Sequence, residues 1–172
     1  GGSLANPRVT VINADAGQWL EAHAEVFDLI VADFPDPSNF GLGKLYSVPI
    51  YRLMAKHLSA NGALVVQSTS PWFAPKSYWC IDATLREAGF VTHPYHAYVP
   101  SFGEWGFNLA TRKPGFTPPD HYPVPTRFLD ADTTLAMFRF PPDMRPPAVE
   151  PNHLNSQTLV HYFEQDWRNV VR

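Results

Sequence analysis

One cysteine, Cys80, stands in a chain of 172 residues. It leaves no internal disulfide and no multi-cysteine zinc site, and its simplest role is that of a small buried hydrophobe in a reducing compartment. Nor is there a basic surplus: 13 Lys and Arg against 16 Asp and Glu give a formal charge of -3. That excludes the positive field with which proteins hold a phosphate backbone, so nucleic acid is not an expected partner, and a small cation suits the chain better. No run approaches the roughly 20 apolar residues that cross a bilayer, and the first residues lack the basic and apolar regions of a signal peptide.

Charged residues amount to only 17%, whereas 45% are apolar, including twelve Phe, seven Tyr and five Trp. A chain of this length and composition can bury a core and is expected to form one domain.

The apolar pattern alternates in type along the first two thirds. Val9-Thr10-Val11-Ile12 is a β-branched run that predicts a strand, Gln18 to Ala24 a short helix, and Phe27 to Asp33 a second strand. The near-continuous apolar run of that strand suits a parallel sheet covered on both faces. Ile50, Leu53, Met54 and Leu58 recur at helical spacing from Val48 to Leu58, with Asn61-Gly62 as the stop before a third strand, Ala63 to Gln67. A helix from Tyr78 to Ala88 ending at Gly89 leads to strands Phe90 to Val99 and Gly106 to Thr111 around a loop, Pro100 to Trp105. Strand and helix in alternation predict an α/β sheet.

Beyond Lys113 ten prolines, from Pro114 to Pro151, interrupt regular structure. Residues 114–172 read as a Pro-rich extension that docks on residues 1–113. It should carry two short helices, Asp132 to Phe138 and Ser156 to Val170, the second capped by Ser156 with Leu159, Phe163 and Trp167 on one face.

The chemistry-bearing stretch is Asp33-Phe34-Pro35-Asp36-Pro37, two carboxylates after a buried strand, where open α/β sheets bind ligands. The prolines restrict the directions of both acids, as a preorganised acid/base or cation site requires; Asp before Pro is also an ordinary turn formula. Asp15 follows the first expected strand, placed either to take hydrogen bonds from a nucleoside ligand or to cap the next helix. Gln67 ends the third strand as a pocket-lining or loop-capping amide. Phe102 and Trp105 offer π faces to a cation or pack in the core, and Glu104 lies between them. The seven histidines show no ligand spacing, and no metal site is expected.

Asp15-Ala16, Asp33-Phe34-Pro35-Asp36-Pro37, Gln67-Ser68-Thr69-Ser70-Pro71 and Tyr98-Val99-Pro100-Ser101-Phe102-Gly103-Glu104-Trp105-Gly106-Phe107 occur in the order found in spermidine synthases. The chain resembles that aminopropyltransferase family over about Pro7 to Lys113, and its extension resembles that of bacterial members with a membrane-spanning N-terminal region. The resemblance implies a class I methyltransferase-like (Rossmann-like) α/β fold. It implies transfer of an aminopropyl group from decarboxylated S-adenosylmethionine, a co-substrate and no prosthetic group, to putrescine or a related amine.

In these terms Asp33 matches the general base and Asp36 the second acid, which holds the amine. Asp15 and Ala16 match the pair that recognises adenine, Gln67 lines the pocket, and Phe102 and Trp105 surround the polyamine. Phe102 stands where Tyr is usual, and Glu104 is the candidate to replace the lost hydroxyl contact. Phe34-Pro35 replaces small hydroxyl residues, which leaves the acceptor amine open.

The family's glycine-rich turn and ribose-binding acid have no counterpart here. The chain is therefore expected to be the C-terminal part of a cytoplasmic catalytic domain lacking the first strands of its sheet, inactive alone, and part of a homo-oligomeric parent whose attachment to the inner membrane stays open. Two other readings stand beside this one: a binding or assembly domain of the same fold, and a small-molecule methyltransferase.

Overall fold

The structure, a computed structural model, describes residues 2–170; Gly1, Val171 and Arg172, the ends of the two expected segments, lie outside the described residues. Four strands form one mixed sheet. β1 (Phe27–Ala32) pairs in parallel with β2 (Leu58–Gln67), which pairs antiparallel with β4 (Gly103–Thr111), and β4 closes against β3 (Val91–Val99), giving the order β1-β2-β4-β3. The chain-order helices are α1 (Ala16–Ala22), α2 (Phe40–Gly43), α3 (Val48–Lys56), α4 (Pro75–Glu87), α5 (Ala131–Met137) and α6 (Thr158–Val170).

The expected strand Val9 to Ile12 is not formed. These residues run without a ladder partner, and Val9, Val11 and Ile12 are exposed. A β-branched run becomes a strand only where its backbone hydrogen bonds reach a partner edge, and this segment passes the free edge of β1, which among the described residues pairs with β2 alone, without bonding to it. Asn61-Gly62 does not stop α3 either. The helix ends at Lys56, and Asn61-Gly62 sit inside β2 at an irregularity in its pairing with Phe27 and Leu29.

The core lies between the sheet and α3 and α4. α3 buries Val48, Tyr51 and Met54 at helical spacing, and α4 buries Ile81 and Leu85 against Leu64, Val66 and Ala110 of the sheet. The end of α4 is fixed by Gly89 at φ 100°, where the N–H groups of Gly89 and Phe90 donate to Arg86 O (2.9 Å) and Leu85 O (3.1 Å).

The extension returns onto this core. α5 packs on β3 and α6 on α4, with Leu159 and Val160 buried. The expected Ser156 cap is replaced: Gln157 at φ 50° precedes the helix, the Leu159 N–H donates to Asn152 Oδ1 (3.2 Å), and Ser156 Oγ accepts from the Thr158 hydroxyl (3.0 Å). Asn152 is fully buried, and its Nδ2 donates to Gly43 O (2.9 Å) and Tyr46 O (3.2 Å). One amide thus ties the extension to the segment that runs beneath the candidate site.

Candidate active site

β1 ends at Ala32, and the chain leaves the sheet through Asp33-Phe34-Pro35-Asp36 at the end where β2 also stops, at Gln67. Parallel pairing brings these two termini together, so Gln67 reaches a carboxylate 31 positions earlier: its Nε2 donates to Asp36 Oδ1 at 3.2 Å. The other end of the Gln67 amide is fixed too, since Oε1 accepts from the Thr69 N–H (3.3 Å) and lies 3.2 Å from the donating Tyr46 hydroxyl. The same hydroxyl lies 3.1 Å from Phe34 O and 3.0 Å from Pro35 O, so one proton is shared among acceptors on both strand ends. Tyr46 is wholly buried; burial first, and then the negative charges of Asp36 and Asp33, push its pKa upward and keep it a neutral donor. Asp36 is half-buried, and burial raises its pKa against the opposing effect of the Gln67 hydrogen bond. Asp33 is exposed at the mouth.

Asp33, Asp36 and Gln67 form one side of a cavity of about 700 Å³, and Phe73, Phe102 and Trp105 contribute aromatic surface to it. The Phe102 and Trp105 rings lie 5.1 Å apart between centroids. A short turn between β3 and β4 presents Phe102, and the loop after β2 presents Phe73. That loop is tied down by Ser70, whose Oγ donates to Glu104 O (2.6 Å) and accepts from the Trp72 (3.2 Å) and Phe73 (3.1 Å) N–H groups.

Within the same loop Thr69 holds φ 59°, an uncommon conformation for a non-glycine residue, and its carbonyl accepts from the Gly106 N–H at 2.6 Å. Gly106 is required by close approach: a Cβ there would overlap the ring of buried Tyr78. Tyr78 in turn lies within donating distance of Tyr95 O (3.2 Å) and Phe107 O (3.1 Å) and braces β3 and β4.

Three sequence candidates, Glu104, Asp15 and Ala16, lie apart from this cavity. The Glu104 carboxylate meets His96 Nδ1 at 2.5 Å, with His96 Nε2 2.8 Å from Arg139 O, and faces a neighbouring depression with Trp72 and Tyr98. Asp15 caps α1, its Oδ1 accepting from the Gln18 N–H at 2.9 Å. Ala16, next to it, lines a second groove of about 450 Å³ formed with Trp19 and the open face of β1. Phe34 lines both spaces, so groove and cavity meet at the loop that carries Asp33.

The sequence reading missed Tyr46, Phe73 and Trp167. Tyr46 acts across 21 positions on Gln67, Phe73 is placed by a serine-closed turn, and Trp167 enters the cavity from α6. None carries a local motif. The Leu159, Phe163 and Trp167 spacing marked a packing face, and the structure turns its last member toward the cavity.

The spermine/spermidine synthase domain matches residues 1–118. Polyamine aminopropyltransferase 2 of Ralstonia nicotianae is 64% identical over 99% of this chain, which corresponds to 34% of that protein. Polyamine aminopropyltransferase of Leptospira interrogans is 46% identical over 98% of this chain and 34% of its own length. The chain thus spans about a third of the length of these curated relatives. Among solved structures, a spermidine synthase in complex with the transition state analogue AdoDATO superposes with a TM-score of 0.68 at 19% identity, over 79% of this chain and 49% of that one. A spermidine synthase from Thermotoga maritima gives a TM-score of 0.65 at 17% identity, over 79% and 48%. The four-stranded sheet is that of a class I methyltransferase-like fold.

Proposed function

The chain belongs to the spermine/spermidine synthase family, and from that premise we propose that it supplies the amine-binding and base-bearing part of a longer polyamine aminopropyltransferase. The donor is decarboxylated S-adenosylmethionine and the acceptor putrescine or a related aliphatic amine. One observation carries the reading: two strand-end carboxylates, one of them held by the Gln67 amide, face an aromatic cavity. Carboxylates favour an ammonium, and ring faces and methylenes favour the chain that carries it.

Chemically, an ammonium has no lone pair and must lose a proton before attack. Exposed Asp33 at the mouth takes that proton. The freed nitrogen attacks the carbon beside the sulfonium, the carbon–sulfur bond breaks with its electron pair returning to sulfur, and neutral methylthioadenosine leaves. Asp36 holds the amine in register, while Gln67 and Tyr46 hold Asp36. The donor's adenosine occupies the groove beside Ala16, and its reactive carbon lies at the Phe34 junction between groove and cavity. Asp15 has its N-cap bond as a second task.

We place the boundary between catalytic part and extension at residues 113 and 114, supported by the packing of α5 and α6 on β3 and α4. The isolated chain is inactive in this reading because the donor's groove lies open along β1, where Leu29 and Val31 are exposed.

The test is Asp33→Asn in the full-length enzyme that carries this chain. Turnover, measured as methylthioadenosine release, should fall by roughly 10²–10⁴-fold, the range for a lost general base, with the circular dichroism spectrum unchanged. Near-normal turnover in a folded variant would remove Asp33 from the role of base.

A further inference from the structure

The family match ends at residue 118, yet the cavity has a wall from far beyond it: Trp167, on α6. We propose that Trp167 determines acceptor specificity by closing the amine cavity over the methylene chain of an aliphatic diamine. This inference rests on the reading of the cavity as an amine site.

Several contacts hold the indole there. Its ring stacks on Phe73 at 6.4 Å between centroids and 24° between planes, and Phe163 lies behind it at 5.7 Å. The residue before it, Asp166, is buried and accepts from the Ser77 N–H (2.9 Å) and hydroxyl (2.8 Å), which fixes the last turns of α6 against the first turn of α4. Farther back, Leu159, Val160 and Asn152 seat the helix in the core. The extension therefore has the rigidity that a wall requires.

The indole N–H is buried without a hydrogen-bond partner among the described residues. Stranding a buried donor is costly, and a phenylalanine would offer an aromatic face to Phe73 and Phe163 without it. Packing alone does not account for tryptophan at this position. The larger ring is used toward the cavity, where Trp167 and Phe73 form one aromatic pair and Phe102 and Trp105 another. A chain of methylenes ending in an ammonium satisfies such surfaces through apolar contact and cation–π attraction. The alignment with the Ralstonia nicotianae aminopropyltransferase runs over 99% of the chain, so the extension is part of what those proteins share.

The experiment compares Trp167→Ala, Trp167→Phe and Val160→Ala in the full-length enzyme, with putrescine and longer diamines as acceptors. Trp167→Ala should raise KM for putrescine about tenfold, as expected for a lost aromatic wall, while KM for the donor stays within about twofold. It should also flatten the preference among diamine lengths. Trp167→Phe should recover most of the affinity with no loss of melting temperature, and Val160→Ala, which loosens the same helix about two turns away from the cavity, should leave both KM values unchanged. Equal rises in both KM values, or a Val160→Ala effect matching that of Trp167→Ala, would reduce Trp167 to a packing residue and overturn the proposal. Should the wild-type enzyme release no methylthioadenosine with any diamine, the proposed reaction fails, and calorimetric titration of putrescine still decides the point: equal affinity in wild type and Trp167→Ala overturns it, weaker binding in the variant sustains it.

Discussion

The two halves of the sheet differ in how fully they are used. On the side of β2, β4 and β3 the sheet is covered: Leu64, Val66 and Ala110 share a core with Ile81 and Leu85 of α4, and the extension packs on α4 and β3. On the side of β1, Leu29 and Val31 are 57% and 64% exposed, and Val9 to Ile12 pass nearby without pairing. Both halves carry the same apolar, β-branched composition. Propensity therefore selects which residues suit a sheet, while the presence of a partner edge decides which ones form it. The candidate site lies at the seam, with Asp33 and Asp36 leaving the sparse side and Gln67, Phe73, Trp105 and Trp167 coming from the packed side.

The contrast breaks most sharply at Asn152, the packed half's central amide. Asn152→Ala removes the acceptor for the Leu159 N–H and the donor to Gly43 O and Tyr46 O, all buried. Orphaned buried groups cost ~1–3 kcal/mol each, so the three together should lower stability by about 3 kcal/mol or more. Urea unfolding at fixed protein concentration reads this as a lower midpoint at constant slope. A loss below about 1 kcal/mol would mean that the extension is not anchored as its hydrogen bonds imply.

A smaller effect sharpens the seam itself. Burial raises the Asp36 pKa above its ordinary 3.8. Because the folded value exceeds the unfolded one, the folded chain binds the proton more tightly. Ionised Asp36 therefore costs stability once pH rises above the unfolded value, and acidification relieves that cost. The ammonium needs the ionised form, so KM for the amine should rise severalfold as pH falls toward the acid limb, before an ordinary carboxylate would titrate, while KM for the donor stays flat. Asp36→Asn should weaken amine binding at neutral pH and remove its acid dependence. An identical pH profile in that variant would assign the titration to another group.

Legibility follows the same division. β1 and the helix α4 are legible because their signals are local: a continuous apolar run ending on acids, and a periodic stretch ending at Gly89. The four motif blocks are legible for the same reason, and the structure brings Asp33, Asp36, Gln67, Phe102 and Trp105 to one cavity. Val9 to Ile12 reads as a strand because sequence records propensity and not whether the segment bonds to an edge. Tyr46, Asn152 and Trp167 are illegible since each acts across long separations through a contact that no periodicity encodes. Asp15 bore two readings, and its N-cap bond is visible where any role toward a nucleoside is left to experiment.

The smallest expected change in folding stability lies at Leu29, on the open side. A lysine there loses little burial, so the stability of the 172-residue chain should move by less than about 0.5 kcal/mol, as for surface substitutions generally. Its effect on association should be larger. Among the described residues β1 pairs only with β2, so its other edge presents unpaired N–H and C=O groups beside exposed Phe27, Leu29 and Val31. Such an edge recruits another strand, and charge on it is how natural sheets prevent this. The isolated chain should therefore associate in a concentration-dependent way, and Leu29→Lys should shift it toward monomer. Light scattering across a dilution series separates the outcomes. A wild-type chain that is monomeric at every concentration would show that the Val9 to Ile12 segment and Trp19 shield the edge well enough alone, and the contrast between the two halves would then be one of packing density without any consequence for assembly.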